Sequence, residues 1–215
     1  EIADLCETVG ADLPTVTQGM GLDHRIGPQF LAPGPGYGGS CFPKDTKALI
    51  HLAHEHGKQV TIVEATVAVN ERTKKRMVDK ILKLIGDPAG RIIALLGLAF
   101  KANTDDMRES PAIAIIEGLL TAGARIHAHD PQAITEAKKI FGERISYFTD
   151  EYEAATGADA LVITTEWETY RRLNFKLLKE RLTRPILIDL RNLFSPESIR
   201  EHGFVYEGIG RIATS

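Results

Sequence analysis

Cysteine, long apolar runs and an excess of basic charge are all scarce in this sequence, and each scarcity excludes something. Two cysteines, Cys6 and Cys41, occur in 215 residues. They are too few for a disulfide framework and suit a reducing compartment, the cytoplasm being the simplest. The longest apolar stretches, such as Ile92 to Phe100, fall far short of the roughly 20 residues that cross a membrane. Lys and Arg total 26 against 29 Asp and Glu, a formal charge of −3. That balance gives no footprint for nucleic acid, although a local basic site for a small anion stays open. No signal peptide is visible, because residue 1 opens inside a periodic polar–apolar segment. What is present, 43% apolar and 26% charged residues, is the composition of an ordinary globular protein that can offset its ordering entropy.

Ile2, Leu5, Cys6 and Val9 repeat at helical spacing without a capping residue before them, as expected of a piece of a longer protein. Gly10 ends that helix, and Leu13 to Met20 predicts a second with Pro14 in its first turn. From Gly27 to Gly39, GPQFLAPGPGYGG, the prolines and glycines exclude a regular element and impose a shaped loop. Helical periodicity resumes after Pro43 and stops at Gly57. A longer helix is expected from Ile62 to Ile85, with Ile62, Thr66, Val69, Thr73, Met77, Ile81 and Leu84 on one stripe. Such a rod, well over roughly 30 Å long, either packs against a twin in a symmetric dimer or lies across its own chain's core.

After Gly86-Asp87-Pro88 the pattern changes. Strands are expected at Arg91–Leu96, Arg125–His129, Ile145–Tyr147, Ala160–Thr164, Ile186–Asp189 and Phe204–Tyr206. Helices fall between them, near Pro111–Ala122, Ala133–Phe141, Glu151–Ala155, Phe175–Leu182 and Pro196–His202. Ile-, Leu- and Val-rich strands with crossover helices mean an α/β fold with a doubly wound, mostly parallel sheet covered on both faces. Two domains are expected: a helical one over residues 1–86, and a Rossmann-like α/β one over residues 87–215. Sheets of this kind bind ligands beyond the carboxyl ends of their strands.

The stretch Gly38-Gly39-Ser40-Cys41-Phe42-Pro43-Lys44-Asp45 places Cys41 just before a helix N-terminus, since Pro43 suits a first turn. Free amides, the helix dipole and the Lys44 cation favour thiolate there, and the glycines leave the sulfur approachable. Asp45 could position a water or exchange a proton, although its own charge opposes the thiolate. A buried structural thiol is the alternative for Cys41; Cys6, on its helix's apolar stripe, reads as structural. A cysteine nucleophile either hydrolyses an acyl bond with a histidine partner or captures an aldehyde as a thiohemiacetal. His51, His54 and His56 lie two or more turns beyond Cys41, so only folding could return one of them to it. Their spacing also lacks a metal-binding pattern.

A second stretch runs from Gly97 to Pro111, where Ser110 is a natural N-cap and Pro111 a natural first helical residue. Its position matches a phosphate-binding turn, yet Gly97-Leu98-Ala99 is not GxGxxG. Asp130 is also too far on for the usual ribose contact, so no intact NAD site is expected in this domain. Lys101 and Arg108 could reach an anionic ligand between the domains; the alternative is pairing with Asp105, Asp106 and Glu109.

Phe30 to Asp45 and Gly97 to Pro111 together resemble the UDP-glucose 6-dehydrogenases among the nucleotide-sugar 6-dehydrogenases, and Glu1–Leu5 and Asp23–Gly27 fit as well. The resemblance implies a central dimerisation region and a C-terminal UDP-binding domain, without the family's N-terminal NAD domain. It implies Cys41 as nucleophile with Asp45 as acid–base neighbour, in a twofold oxidation of a UDP-sugar to its uronate with NAD as cofactor. Substrate contacts are implied for Phe30, Leu31, Ala32, Pro33, Gly34, Gly38, Phe100 and Lys101. Arg25 is matched to an arginine that enters a partner subunit's site, and Arg191 to one near the nucleotide. Lys44 and Arg108 are implied to face NAD. A homodimer on the 62–85 helix, and a sibling specificity for GDP-mannose or UDP-N-acetylmannosamine, follow as further expectations. So does a plain UDP-sugar-binding and dimerisation module. Neither nucleic acid, membrane nor metal is expected as a partner.

Overall fold

The computed structural model describes residues 1–211. Two short helices, α1 (Ile2–Val9) and α2 (Leu13–Gly21), lead to the proline- and glycine-rich loop. Gly10 ends α1 at φ 72°, and the Asp12 carboxylate caps α2 by accepting from the Thr15 amide at 3.1 Å. Then come α3 (Phe42–Glu55) and the long α4 (Thr61–Ile85). Cys6 is buried, while its stripe-mates Ile2, Leu5 and Val9 are exposed.

The remainder alternates: β1 (Ile92–Leu96), α5 (Pro111–Thr121), β2 (Arg125–His129), α6 (Ile134–Phe141), β3 (Ser146–Phe148) and α7 (Glu151–Ala155), then β4 (Ala160–Ile163), α8 (Phe175–Arg181), β5 (Ile186–Asp189), α9 (Pro196–Glu201) and β6 (Val205–Gly208). Expected and observed strands coincide to within about two residues at their ends, the ordinary fraying of element boundaries. A 3₁₀ turn at Tyr170–Arg172 was not legible in the sequence. All the strand pairs are parallel, in the order β3-β2-β1-β4-β5-β6. The winding reverses between β1 and β4, and the crevice beyond their carboxyl ends is where such sheets take ligands.

Strand side chains alternate between two cores. Ile93 and Leu95 face α4, α5 and α6 through Met77, Ile81, Ile115, Ile116 and Phe141. Ala94 and Leu96 face α7, α8 and α9 through Ala154, Leu178 and Ile199, with Tyr170 filling the end of this layer. The carboxyl half of α4 therefore crosses its own chain's core: Met77, Ile81 and Ile85 are at most 1% exposed, whereas Ile62 at the other end is 84% exposed. Gly118 of α5 lets α4 approach, since a Cβ there would stand 2.7 Å from Val78 Cγ2. Helix α1 is held to α4 and β6 by charge. Arg76 pairs with Asp4 and Glu7, Lys80 with Glu7 and Glu207, and the Gly210 amide donates to Glu7 at 2.7 Å.

Candidate active site

Cys41 is exposed at the N-cap of α3, with Pro43 in the first turn as its sequence position implied. Ser40 Oγ stands 3.7 Å from Sγ, within hydrogen-bonding reach of sulfur. The histidines of α3 are engaged elsewhere: His51 meets Glu55 at 3.3 Å, His54 meets Glu64 at 2.9 Å, and His56 Nδ1 lies 2.9 Å from the Leu52 carbonyl. Folding does not return any of them to the sulfur, which removes the arrangement a histidine-assisted hydrolase needs. Lys44 and Asp45 pair with each other at 3.2 Å in solvent.

The two long motifs meet. Gly39 donates its amide to the Arg108 carbonyl at 2.8 Å. Gly38 lies so close to the other strand of this contact that a Cβ would stand 2.5 Å from the Glu109 carbonyl oxygen. A Cβ on Gly39, at φ 93°, would stand 2.8 Å from the Phe100 ring. Glu109 itself holds φ 54°, an unfavourable backbone for a residue with a side chain, and its carboxylate reaches Lys47 of α3 at 2.7 Å. Lys47 keeps the Glu109 carboxyl below its usual range against a smaller opposing effect of burial. Glycine is needed at these positions because a Cβ would strike the Glu109 backbone at Gly38 and the Phe100 ring at Gly39.

The segment after β1 is fixed as a ledge by buried side chains. Asp130, 2% exposed, accepts from the amides of Leu98 (2.7 Å), Ala99 (3.1 Å), Gln132 (2.9 Å) and Ala133 (2.8 Å), and from Trp167 Nε1 (3.1 Å). Ser110 Oγ donates to the Leu98 carbonyl at 2.8 Å and Thr165 Oγ1 to the Ala99 carbonyl at 2.7 Å. That ledge presents Phe100 and the exposed Lys101, whose ammonium stands 5.3 Å from the Phe100 ring centroid. Among the described residues Lys101 forms no ion pair, whereas Arg108 is engaged by Asp106 at 2.7 Å. The Asp106 hydrogen bond and charge hold the Arg108 guanidinium above its ordinary value, and a negative charge at Cys41 adds in the same direction.

On the far flank Arg191, just after β5, lies against the loop: a Cβ on Gly34 would stand 2.5 Å from its Nη1. Its Nη2 stands 2.7 Å from Glu166 Oε2, a close ion pair without the alignment of a hydrogen bond. Phe30, fully exposed at φ 61°, and the adjacent Leu31, Ala32 and Pro33 form the loop's outer limb. Arg25 sits on the exposed turn after α2 with its guanidinium held by Asp23. Among the described residues no hydrogen bond or ion pair joins it to the Cys41 loop. A cavity of about 570 Å³ is lined by Pro33, Gly34, Gly36 and Tyr37 of the limb and by Val69, Asn70 and Met77 of α4, but not by Cys41. Sequence reasoning missed Asn70, Lys47, Glu166 and the anchoring role of Asp130. Partnerships between elements so far apart in the chain leave no local periodicity, although a polar Asn inside an apolar stripe was a usable signal.

Among the described residues no group of three or more His, Cys, Asp or Glu side chains is placed to hold a metal ion. No helix among them is long and apolar enough to cross a membrane.

A doubly wound parallel sheet whose switch-point ledge carries a lysine, beside a proline- and glycine-rich loop that ends in an exposed cysteine, defines a Rossmann-like α/β protein. Comparison with known proteins sharpens that class. Residues 1–72 match the central domain, and residues 94–196 the UDP binding domain, of the UDP-glucose/GDP-mannose dehydrogenase family. The chain belongs to that family. It is 52% identical over 212 residues to UDP-glucose 6-dehydrogenase of Rhizobium meliloti, covering 98% of this chain and 48% of the relative. It is 46% identical to the UDP-glucose 6-dehydrogenase TuaD of Bacillus subtilis, covering 99% and 46%. Among solved structures, a UDP-glucose dehydrogenase from Pyrobaculum islandicum superposes with a TM-score of 0.86 at 34% identity, over 98% of this chain and 46% of that one. The chain therefore spans about half the length of the curated relatives it matches.

Proposed function

We propose that this chain is the central and UDP-binding portion of a cytoplasmic dehydrogenase that oxidises UDP-glucose to UDP-glucuronate. We divide it near residue 86 into a dimerising helical domain and a substrate-binding α/β domain. The observation that carries the reading is the docking of the proline- and glycine-rich loop, Gly38 and Gly39 against Phe100, Arg108 and Glu109 and Gly34 against Arg191, which gathers the loop ending in Cys41, the ledge bearing Lys101 and Arg191 at the ligand end of the sheet.

In this reading the limb from Phe30 to Gly34, with Gly38, cradles the UDP-sugar by its main chain. Lys101, whose ammonium stands over Phe100, meets the substrate's anionic or hydroxyl groups, and Arg191 approaches the nucleotide. Such charge-assisted contacts are the strong ones. Cys41 adds its sulfur to the carbon of the C6 aldehyde, giving a tetrahedral hemithioacetal that still bears the hydrogen to be lost as hydride. NAD, bound outside the α/β unit, would take both hydrides: the one lost from the C6 alcohol to give the aldehyde, and the one lost from the hemithioacetal, whose hydroxyl proton passes to water, to leave a thioester. Water, oriented by Asp45, then cleaves the carbon–sulfur bond, which liberates the carboxylate and restores the thiol.

NAD is the hydride acceptor that the resemblance implies. The α/β unit does not fit it, because Gly97-Leu98-Ala99 lacks the dinucleotide glycines and the Asp130 carboxylate is spent on five protein donors. Of this chain's residues we assign only Lys44 and Arg108 as cations facing it. Arg25 we assign to the partner's site in a homodimer built on α4.

Assay of the full-length protein with UDP-glucose, GDP-mannose and UDP-N-acetylmannosamine tests the reading. NADH formed from UDP-glucose supports it, NADH from a sibling sugar alone reassigns the substrate, and none from any sugar overturns it. The 215-residue chain by itself is expected to bind UDP-glucose and turn nothing over.

A further inference from the structure

We infer that Asn70 is a positioning residue for the substrate loop, fixing the limb that leads to Cys41 in the path a UDP-sugar requires; the inference rests on the functional reading above. The loop's own sequence does not set that path, since its centre lacks a regular hydrogen-bond ladder. Asn70 supplies one from α4. Its Oδ1 accepts from the Tyr37 amide at 2.8 Å, and its Nδ2 donates to the Tyr37 carbonyl at 3.2 Å. A primary amide carries the donor and acceptor that serve both main-chain groups of one residue, as a neighbouring strand would.

Gly36 closes the fit from the other side. At φ 130° it packs on the Asn70 amide, and a Cβ would stand 2.8 Å from Oδ1. Asn70 is 7% exposed, and asparagine is a poor helix former beside alanine, so its place inside a long helix needs a local benefit. Two turns further on, Met77 is locked into the sheet core, which makes this part of α4 a rigid mount. The constraint passes outward through the Tyr37 ring, which packs edge-on against Phe42 at 4.6 Å between centroids. Phe42 adjoins Cys41, so one amide on α4 steadies both the cradle and the sulfur. Asn70 is offered as a positioning residue because its contacts are with the main chain of the loop.

The test titrates UDP-glucose into the 215-residue chain and its Asn70→Ala, Asn70→Asp and Gly36→Ala variants. Thermal midpoints and Tyr37 amide hydrogen exchange are followed in parallel. Asn70→Ala is expected to lose about tenfold in affinity and the protection of the Tyr37 amide, with the midpoint moving by only a few degrees. Asn70→Asp keeps an acceptor for the Tyr37 amide and recovers part of the affinity. The double variant Gly36→Ala/Asn70→Ala loses no more than the worse single variant, because both act on one contact. Unchanged affinity in Asn70→Ala overturns the inference. So does affinity lost only in step with global unfolding, which would make Asn70 merely structural. A native chain that binds no UDP-glucose overturns the functional reading, whereas native binding with an indifferent Asn70→Ala overturns this inference alone.

Discussion

The amide of Gly39 donates to the carbonyl of Arg108 at 2.8 Å, joining the chain two residues before Cys41 to the loop that carries the ledge cations. The next contact along, Gly38 against Glu109, has no room for a methyl group. Gly38→Ala is therefore expected to prise the loop from the ledge. UDP-glucose affinity should fall by about tenfold or more, the scale of a lost buried hydrogen bond with its neighbours. Calorimetric titration of the variant checks this, and native-like affinity would show that the seam is dispensable.

Among the described residues Lys101 forms no ion pair, and its ammonium stands 5.3 Å from the centroid of the Phe100 ring. Removing it by Lys101→Ala should weaken UDP and UDP-glucose binding by about 10- to 100-fold, as expected for a charge-assisted contact. The loss should shrink as salt is raised. The folded state should be unaffected, because the side chain holds nothing else in place; a large drop in thermal midpoint would contradict its assignment as a ligand contact.

The two cysteines offer an internal comparison. Cys41 is exposed, while Cys6 is 4% exposed in the packing of α1. Iodoacetamide at neutral pH should label Cys41 at least about 100-fold faster, because a buried thiol reacts only through local opening. Saturating UDP-glucose should slow the Cys41 reaction and leave Cys6 alone. Mass spectrometry of peptides over time reads both rates, and equal labelling would dispose of the thiol centre.

Glu7 ties α1 to α4 and to the end of β6. Burial alone would raise its carboxyl, but the Gly210 amide, Lys80 and Arg76 outweigh it and hold the group below its ordinary value of 4.5. A depressed carboxyl contributes stability that is complete above the unfolded value and is lost as pH falls through the folded one. The native chain should therefore be more stable than Glu7→Gln at pH 7, and the gap should close below about pH 4.5. Thermal melts from pH 7 to pH 3.5 measure it; a gap independent of pH would assign Glu7 a purely steric role.

Most of the fold was legible because apolar periodicity is a local signal. The strands Ile92–Leu96 and Ile186–Asp189 are short buried runs, and Ser110-Pro111 announced the start of α5 in two residues. The stripe on α4 was only half informative. Met77 and Ile81 enter the core as its spacing implied, while Ile62 at the same periodicity stays exposed, so the repeat alone could not say where along the rod the burial begins. Within the site, Cys41, Gly38 and Lys101 could be singled out from their immediate neighbours. The pairing of Gly38 with Glu109, the Asn70 clamp and the Arg191–Glu166 contact could not, because each depends on how elements far apart in the chain are brought together. The spacing of Asp130 from Gly97 excludes a ribose contact, but that distance in sequence says nothing of the five donors that surround it.

The glycine seam between the cysteine loop and the ledge carries a lesson for engineering. Two surfaces that touch backbone to backbone must be exchanged as a matched set. A chimera that imports residues 30–45 from a relative while keeping its own 97–111 would inherit a mismatch at Gly38 and Glu109, whereas transplanting both stretches together preserves the joint.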